Sequence, residues 1–322
     1  MLNGMVPSSF YNLSYMSVLG FEFNQLSGAL PANIGLTLPN LKLFEISGNK
    51  FVGPIPGSLC NASKLQIIEL AYNNLVGSVS TNLGYLLDLE VLNLGHNKLG
   101  RDLDFLMSLR NCSKLEVLII AINQFEGVLA NFIGNLSTQL NALYLEGNQI
   151  SGTIPIALQN LVNLILLHLD ENLFTGVIPT YFGKFQKMQG LSLSGNKLSG
   201  QIPSSMGNLT QLVKLDLSQN NLEGSIPPSF GNYRSLQQLD VSQNYLSGVI
   251  AQQVFSPFSL SLLLNLSHNS FSGKFPVELG NMKNIKFLDV SENCLFSEIP
   301  ATIGNLVNLK KLYLQGCSTP KS

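Results

Sequence analysis

Three histidines (His96, His168, His268) and four cysteines (Cys60, Cys112, Cys294, Cys317) are the residues of this 322-residue chain best equipped for chemistry. Their spacing argues against it. A zinc-type site needs three or four ligands on one local frame, and the histidines stand 72 and 100 residues apart. No Ser-His-Asp or Cys-His set assembles around them. Neither a catalytic residue, nor a metal, nor a cofactor is expected. Recognition chemistry is better served. Tyr144, Glu146, His168, Asp170 and Glu171 gather aromatic, imidazole and carboxylate groups within one short stretch, and Tyr72 and His96 precede them. Aromatic groups beside carboxylates are typical of binding hot spots. Six N-x-S/T sequons add candidate glycan sites at Asn12, Asn61, Asn111, Asn135, Asn208 and Asn265.

The elements that would hold these residues follow from a repeat. Asn24, Asn49, Asn73, Asn97, Asn123, Asn148, Asn172, Asn196, Asn220, Asn244, Asn269 and Asn293 each end a segment patterned LxxLxLxxN. Their mean spacing, 269 residues over 11 steps, is about 24.5 residues, the period of a leucine-rich repeat. Leu215 and Leu217 alternate with Asp216 and Ser218, the period-2 signature of a short strand with one buried face. The fold expected is an α/β solenoid: a right-handed superhelix of about 13 repeats, each of about 24 residues, around a parallel concave sheet. Each asparagine turns inward, where its amide satisfies backbone groups of the bend and of the neighbouring turn. Behind it, LxGxIP segments such as Leu198–Pro203 are read as turns, since glycine and proline break regular backbone. A short 3₁₀ turn then closes the coil on the convex side.

In this frame the concave sheet displays Phe23, Tyr72, His96, Ile122 and the Tyr144-to-Glu171 patch. Later turns add Asp216, Gln219, Asp240, Gln243, Asp289 and Glu292, residue types that also serve as solvated filler. Five sequons fall in one convex column, and Asn265 falls on the concave sheet between Leu264 and Leu266. Cys60 and Cys112, two turns apart, stand about 10 Å from each other, beyond disulfide reach. Cys294 and Cys317 lie on adjacent turns, and buried thiols are favoured over a bridge there too.

Composition narrows the function class. With 18 basic and 19 acidic residues the net charge is −1, which offers no broad attraction for a nucleic acid. The chain is 45% hydrophobic, with 60 leucines, which excludes a disordered chain. No apolar run reaches the roughly 18 residues of a spanning helix, so direct membrane insertion is not expected.

The LxGxIP half-repeat at a 24-residue period resembles the plant-specific class of leucine-rich repeats. Two irregular pieces, Asp102–Ser113 and Ile133–Leu140, resemble the ectodomains of plant receptor-like kinases that sense bacterial peptides and proteins in innate immunity. That resemblance implies a non-catalytic module at the cell surface, with a peptide or protein ligand on its concave or lateral face. It also allows a co-receptor with a leucine-rich-repeat ectodomain. The even spacing leaves no room for an inserted domain, so an extended ligand suits the face better than a small hydrophobic hormone. The chain departs from the pattern. Met1 stands inside a repeat, no leader, terminal cap, transmembrane helix or kinase motif is present, and residues 1–322 read as one solenoid with a partial first repeat and a truncated last one. The alternatives are a secreted inhibitor of microbial cell-wall-degrading enzymes and a nonfunctional gene fragment.

Overall fold

Each turn starts where one apolar side chain alternates with outward-facing neighbours. In Lys214-Leu215-Asp216 the leucine is fully buried and the flanking residues face outward, so the segment is a three-residue strand. A computed structural model describes residues 1–255, 260–296 and 298–316. By internal packing it divides into two compact units, Met1–Leu164 and Ile165–Ser322.

In the first unit the strands ahead of the asparagines are Val18–Gly20, Leu43–Glu45, Ile67–Glu69, Val91–Asn93, Val117–Ile119 and Ala142–Tyr144. They pair in parallel, each residue beside its counterpart one repeat on. In the second unit Leu166–His168, Gly190–Ser192, Lys214–Asp216, Gln238–Asp240, Leu263–Asn265, Phe287–Asp289 and Lys311–Tyr313 do the same. We call these strands the leucine ladder.

The bend after each strand is closed by its asparagine. The Asn220 amide donates to Leu217 O (3.2 Å) and Ser218 O (3.0 Å) in its own bend and to Leu193 O (3.0 Å) one turn back. Its Oδ1 accepts from Leu198 N at 3.0 Å. Asn73 and Asn244 repeat the pattern bond for bond. Each such buried group would cost about 1–3 kcal/mol if left unpaired.

Two expectations need correction. The LxGxIP segments are not merely turns: Lys197–Gln201, Asn221–Gly224 and Tyr245–Val249 form a second parallel ladder, as do Gln25–Ala29, Lys50–Gly53 and Asn74–Gly77 in the first unit. Only one side chain in each, such as Leu198, points inward, so the alternation is too sparse to announce a strand. Ser218, read as outward-facing, is buried, because its hydroxyl turns 2.7 Å from Asp216 Oδ1.

The second ladder leads into 3₁₀ turns such as Thr180–Lys184 and Ser204–Asn208. Successive turns approach closely here: a Cβ on Gly183 would stand 2.5 Å from Ser205 O. The irregular segment becomes a short α-helix, Asp104–Ser108, followed by a 3₁₀ turn, Leu109–Asn111. Cys60 and Cys112 are buried free thiols, and burial pushes the Cys112 thiol up to about 11. Cys317 lies outside the described residues, and the Cys294–Cys317 reading with it.

Candidate binding face of the first unit

The residue before each ladder asparagine carries a left-handed backbone. Phe23, Tyr72, His96 and Ile122 have φ of 52°, 53°, 52° and 51°, and Gly48 and Gly147 take the same place with φ of 69° and 66°. Glycine adopts this conformation freely; a non-glycine residue there costs about 1–3 kcal/mol, and a β-branched one such as Ile122 is a genuine outlier. The bend requires the conformation, but not an aromatic or branched side chain.

These side chains are also outside the core. Phe23, Tyr72 and Ile122 are 70%, 57% and 44% exposed. They tile in pairs along the ladder: Phe23 lies over Gly48, where a Cβ would meet its ring at 2.8 Å, and Ile122 lies over Gly147, where a Cβ would meet its side chain at 2.9 Å. The Tyr72 ring stacks on His96 with centroids 3.9 Å apart and planes at 15°. Burial lowers the His96 pKa, so the imidazole of this stack is held toward its neutral form.

A second row runs parallel to the first. The strand-opening residues Val18, Leu43, Ile67, Val91 and Val117 are half-buried or exposed, and they stand beside one another in register. Between the rows lie carboxylates. Glu45 and Glu69 are register neighbours, and Asn93 follows, its amide 2.6 Å from Glu69 Oε2. Burial raises the Glu69 pKa, and the charges of Glu22 and Glu45 push the same way against the Asn93 hydrogen bond.

The site residues expected from the sequence fall into separate groups. Tyr72 and His96 form the stack just described. Tyr144 ends the last leucine-ladder strand of the first unit and Glu146 follows it, and burial and then the Glu146 charge raise the Tyr144 pKa. His168, Asp170 and Glu171 belong to the second unit. There His168 Nδ1 and Asp170 Oδ1 are 3.7 Å apart, and burial, with Lys214, lowers the His168 pKa against the pull of Asp170. The Glu171 carboxylate lies over Gly195. Asp216, Asp240 and Asp289 each turn one carboxylate oxygen onto the amide and hydroxyl of the serine two residues on, so that oxygen serves its own bend. The sequence reading put Phe23 and Ile122 on the displayed face without counting them among the site residues, and it overlooked the aliphatic row and the Glu45–Glu69 pair. A signal for the row was available: the residue that opens the ladder strand is a large aliphatic in the five repeats from Val18 to Val117, and Gly190, Lys214 and Gln238 break the pattern later, although Leu166 and Leu263 keep it.

Parallel ladders, asparagine-closed bends and the repeat period define a leucine-rich-repeat solenoid, a non-catalytic binding scaffold. Family models described as leucine rich repeat match residues 162–222 and, separately, 40–62, 139–161, 262–282 and 284–306. The relatives are plant receptors. The chain is 42% identical over 83 residues, 24% of its length, to the LRR receptor-like serine/threonine-protein kinase EFR of Arabidopsis thaliana. It is 43% identical over 72 residues, 22% of its length, to the receptor kinase-like protein Xa21 of Oryza sativa subsp. japonica. It is 32% identical over 154 residues, 48% of its length, to receptor-like protein 39 of Arabidopsis thaliana. These stretches cover only 8%, 7% and 14% of those relatives. Among solved structures, the plant peptide hormone receptor RGFR1 in complex with RGF2 matches 98% of the chain with a TM-score of 0.84 and 30% identity, over 53% of its own length. A TDR receptor matches 97% with a TM-score of 0.88 and 29% identity, over 57% of its own length. The chain is thus a leucine-rich-repeat protein whose relatives are plant receptor-like kinases and receptor-like proteins. Among its described residues no helix is long and apolar enough to cross a membrane.

Proposed function

We propose that this chain is the ligand-recognition part of a plant receptor of the receptor-like kinase kind, binding an extended peptide or protein segment on its leucine-ladder face. One observation carries the reading. In the left-handed column, where the second unit holds Glu171, Gln219, Gln243, His268 and Glu292, the first unit holds Phe23, Tyr72, His96 and Ile122, and of these Phe23, Tyr72 and Ile122 leave large apolar surface in water. Outward apolar surface at positions that polar residues fill elsewhere is what a binding surface retains and a purely structural bend loses. The structural neighbours support the same class, since one is a plant peptide hormone receptor solved in complex with RGF2. Tyr144 with Glu146 on the first unit, and His168 with Asp170 and Glu171 on the second, are further candidate contact residues, each group on its own unit. A leucine-rich-repeat co-receptor fits the class and is the partner we would test next, and the cell surface is the corresponding location.

Selection of a displayed library of linear peptides against the immobilised chain tests the reading. Binders should be enriched, and the triple variant Phe23→Ala, Tyr72→Ala, Ile122→Ala should lose them while keeping its melting temperature. Failure to enrich any peptide, or equal binding by the triple variant, would overturn it.

A further inference from the structure

The first unit segregates its charges. Six glutamates project from the turns of the leucine ladder, Glu22, Glu45, Glu69, Glu90, Glu116 and Glu146, against a single cation, Lys42. The other six cations of that unit, Lys50, Lys64, Lys98, Arg101, Arg110 and Lys114, lie off these strands and bends. Among the described residues, Glu22, Glu45 and Glu69 have no cation within ion-pair distance, whereas Lys114 is paired with Asp88 at 2.6 Å. Glu45 and Glu69 nevertheless stand directly side by side in register. Like charges on neighbouring strands weaken a sheet. The Asn93 amide, 2.6 Å from Glu69 Oε2, offsets part of that repulsion but carries no charge, so the neutralising charge is expected from a partner.

We propose that the ligand of this face is a cationic extended peptide whose arginine side chains enter between the aliphatic and aromatic rows, an inference that rests on the recognition function proposed above. The geometry favours a guanidinium. Glu45 and Glu69 lie between the aliphatic row, Leu43 and Ile67, and the exposed Tyr72 ring stacked on His96. A guanidinium can lie against an aromatic face and bond a carboxylate at once, which an ammonium does less well. The aliphatic row provides contact for the apolar stem of such a side chain. Six strands at about 4.8 Å span about 24 Å, the reach of roughly seven extended residues.

The same peptide selection tests this inference separately from the reading beneath it. Enriched peptides should be net positive, with arginine favoured over lysine. Binding of a selected peptide should fall about tenfold or more between low and high salt. The variants Glu45→Gln/Glu69→Gln and Glu45→Lys/Glu69→Lys should both weaken it. The glutamine pair removes repulsion within the sheet, so its loss of binding cannot be assigned to unfolding. Enrichment of neutral or acidic peptides that are indifferent to salt and to the glutamine pair would overturn the cationic class while leaving peptide recognition intact. No enrichment at all would remove both.

Discussion

At the scale of single residues, the repeat positions that break their column are the most informative. Arg101, with φ of 99°, occupies the place that Gly77 and Gly127 hold in the neighbouring repeats with φ of 86° and 101°. Its side chain is exposed and supports no core packing. Arg101→Gly should therefore stabilise the protein by about 1 kcal/mol, the strain relieved less the extra backbone entropy of glycine; an unchanged or lower melting temperature would refute the strain assigned to this position. Asn220 is the opposite case, with three donor bonds and one acceptor bond made at a buried site. Asn220→Ala should cost about 2–4 kcal/mol, read by denaturation and by faster exchange of the Leu198 amide. Glu69 links charge to stability. Burial raises its folded pKa above the ordinary value of 4.5, so the folded state holds its proton more firmly than the unfolded chain. The stabilisation is fully present below the unfolded pKa and is lost as pH rises through the folded one. Glu69→Gln should accordingly raise the melting temperature at neutral pH, and the gain should vanish on acidification. A gain independent of pH would show that the charge is not its source.

At the scale of elements, the sequons separate by the structure that carries them. Asn12, Asn61, Asn111, Asn135 and Asn208 are exposed at the last residue of 3₁₀ turns. In four of them the Ser or Thr amide donates back to the asparagine carbonyl, at 2.9 Å for Ser14, Ser63 and Thr210 and 3.0 Å for Ser113, through a residue with inverse γ-turn dihedrals. Asn135 differs: Ser137 is buried, with its hydroxyl 2.7 Å from Ser113 O. Asn265 lies within a strand and uses its amide on Asp240 Oδ2 (3.0 Å) and Ser242 Oγ (3.1 Å). Expressed through a secretory route, the protein should carry glycans at Asn61 and Asn208 and leave Asn265 bare, by glycopeptide mass spectrometry; a fully occupied Asn265 in folded protein would contradict these bonds. How much was legible in the sequence follows the same division. The leucine-ladder strands, the asparagine bends and the 3₁₀ turns were readable because each has a side chain with one physical task. The second ladder was not, since its strands bury one residue apiece and rest on backbone pairing. The face itself was half legible: Tyr72 and His96 were read as a pair of candidates, but their stacking, and the strain beneath them, depend on dihedrals that residue types do not encode.

At the scale of the whole molecule, stability in a solenoid is a sum over neighbouring turns, so a turn with a neighbour on one side contributes about half of what an inner turn does. The inner leucines are buried from both sides, as Leu118 and Leu191 are, at 0% exposure. Toward residue 1, Leu2, Met5 and Leu13 are 63%, 73% and 49% exposed, whereas Leu19 is 2% exposed because its strand pairs with Leu43–Glu45. Toward the other end Ile299, Val307 and Leu312 are 57%, 79% and 37% exposed. Each large aliphatic left in water forgoes about 1.5–3 kcal/mol of burial, and the strands Val18–Gly20 and Lys311–Tyr313 each have a ladder partner on one side. An open strand edge of this kind recruits another chain. A polypeptide of residues 1–322 expressed by itself should therefore self-associate at micromolar concentration. Its amides should exchange fastest in these two strands and slowest in the inner turns of each unit. Fusing polar capping repeats to both ends should shift it to monomer and raise its melting temperature. A stable monomer by sedimentation, with uniform exchange and a melting temperature that the caps leave unchanged, would show that the open ends do not limit this fold.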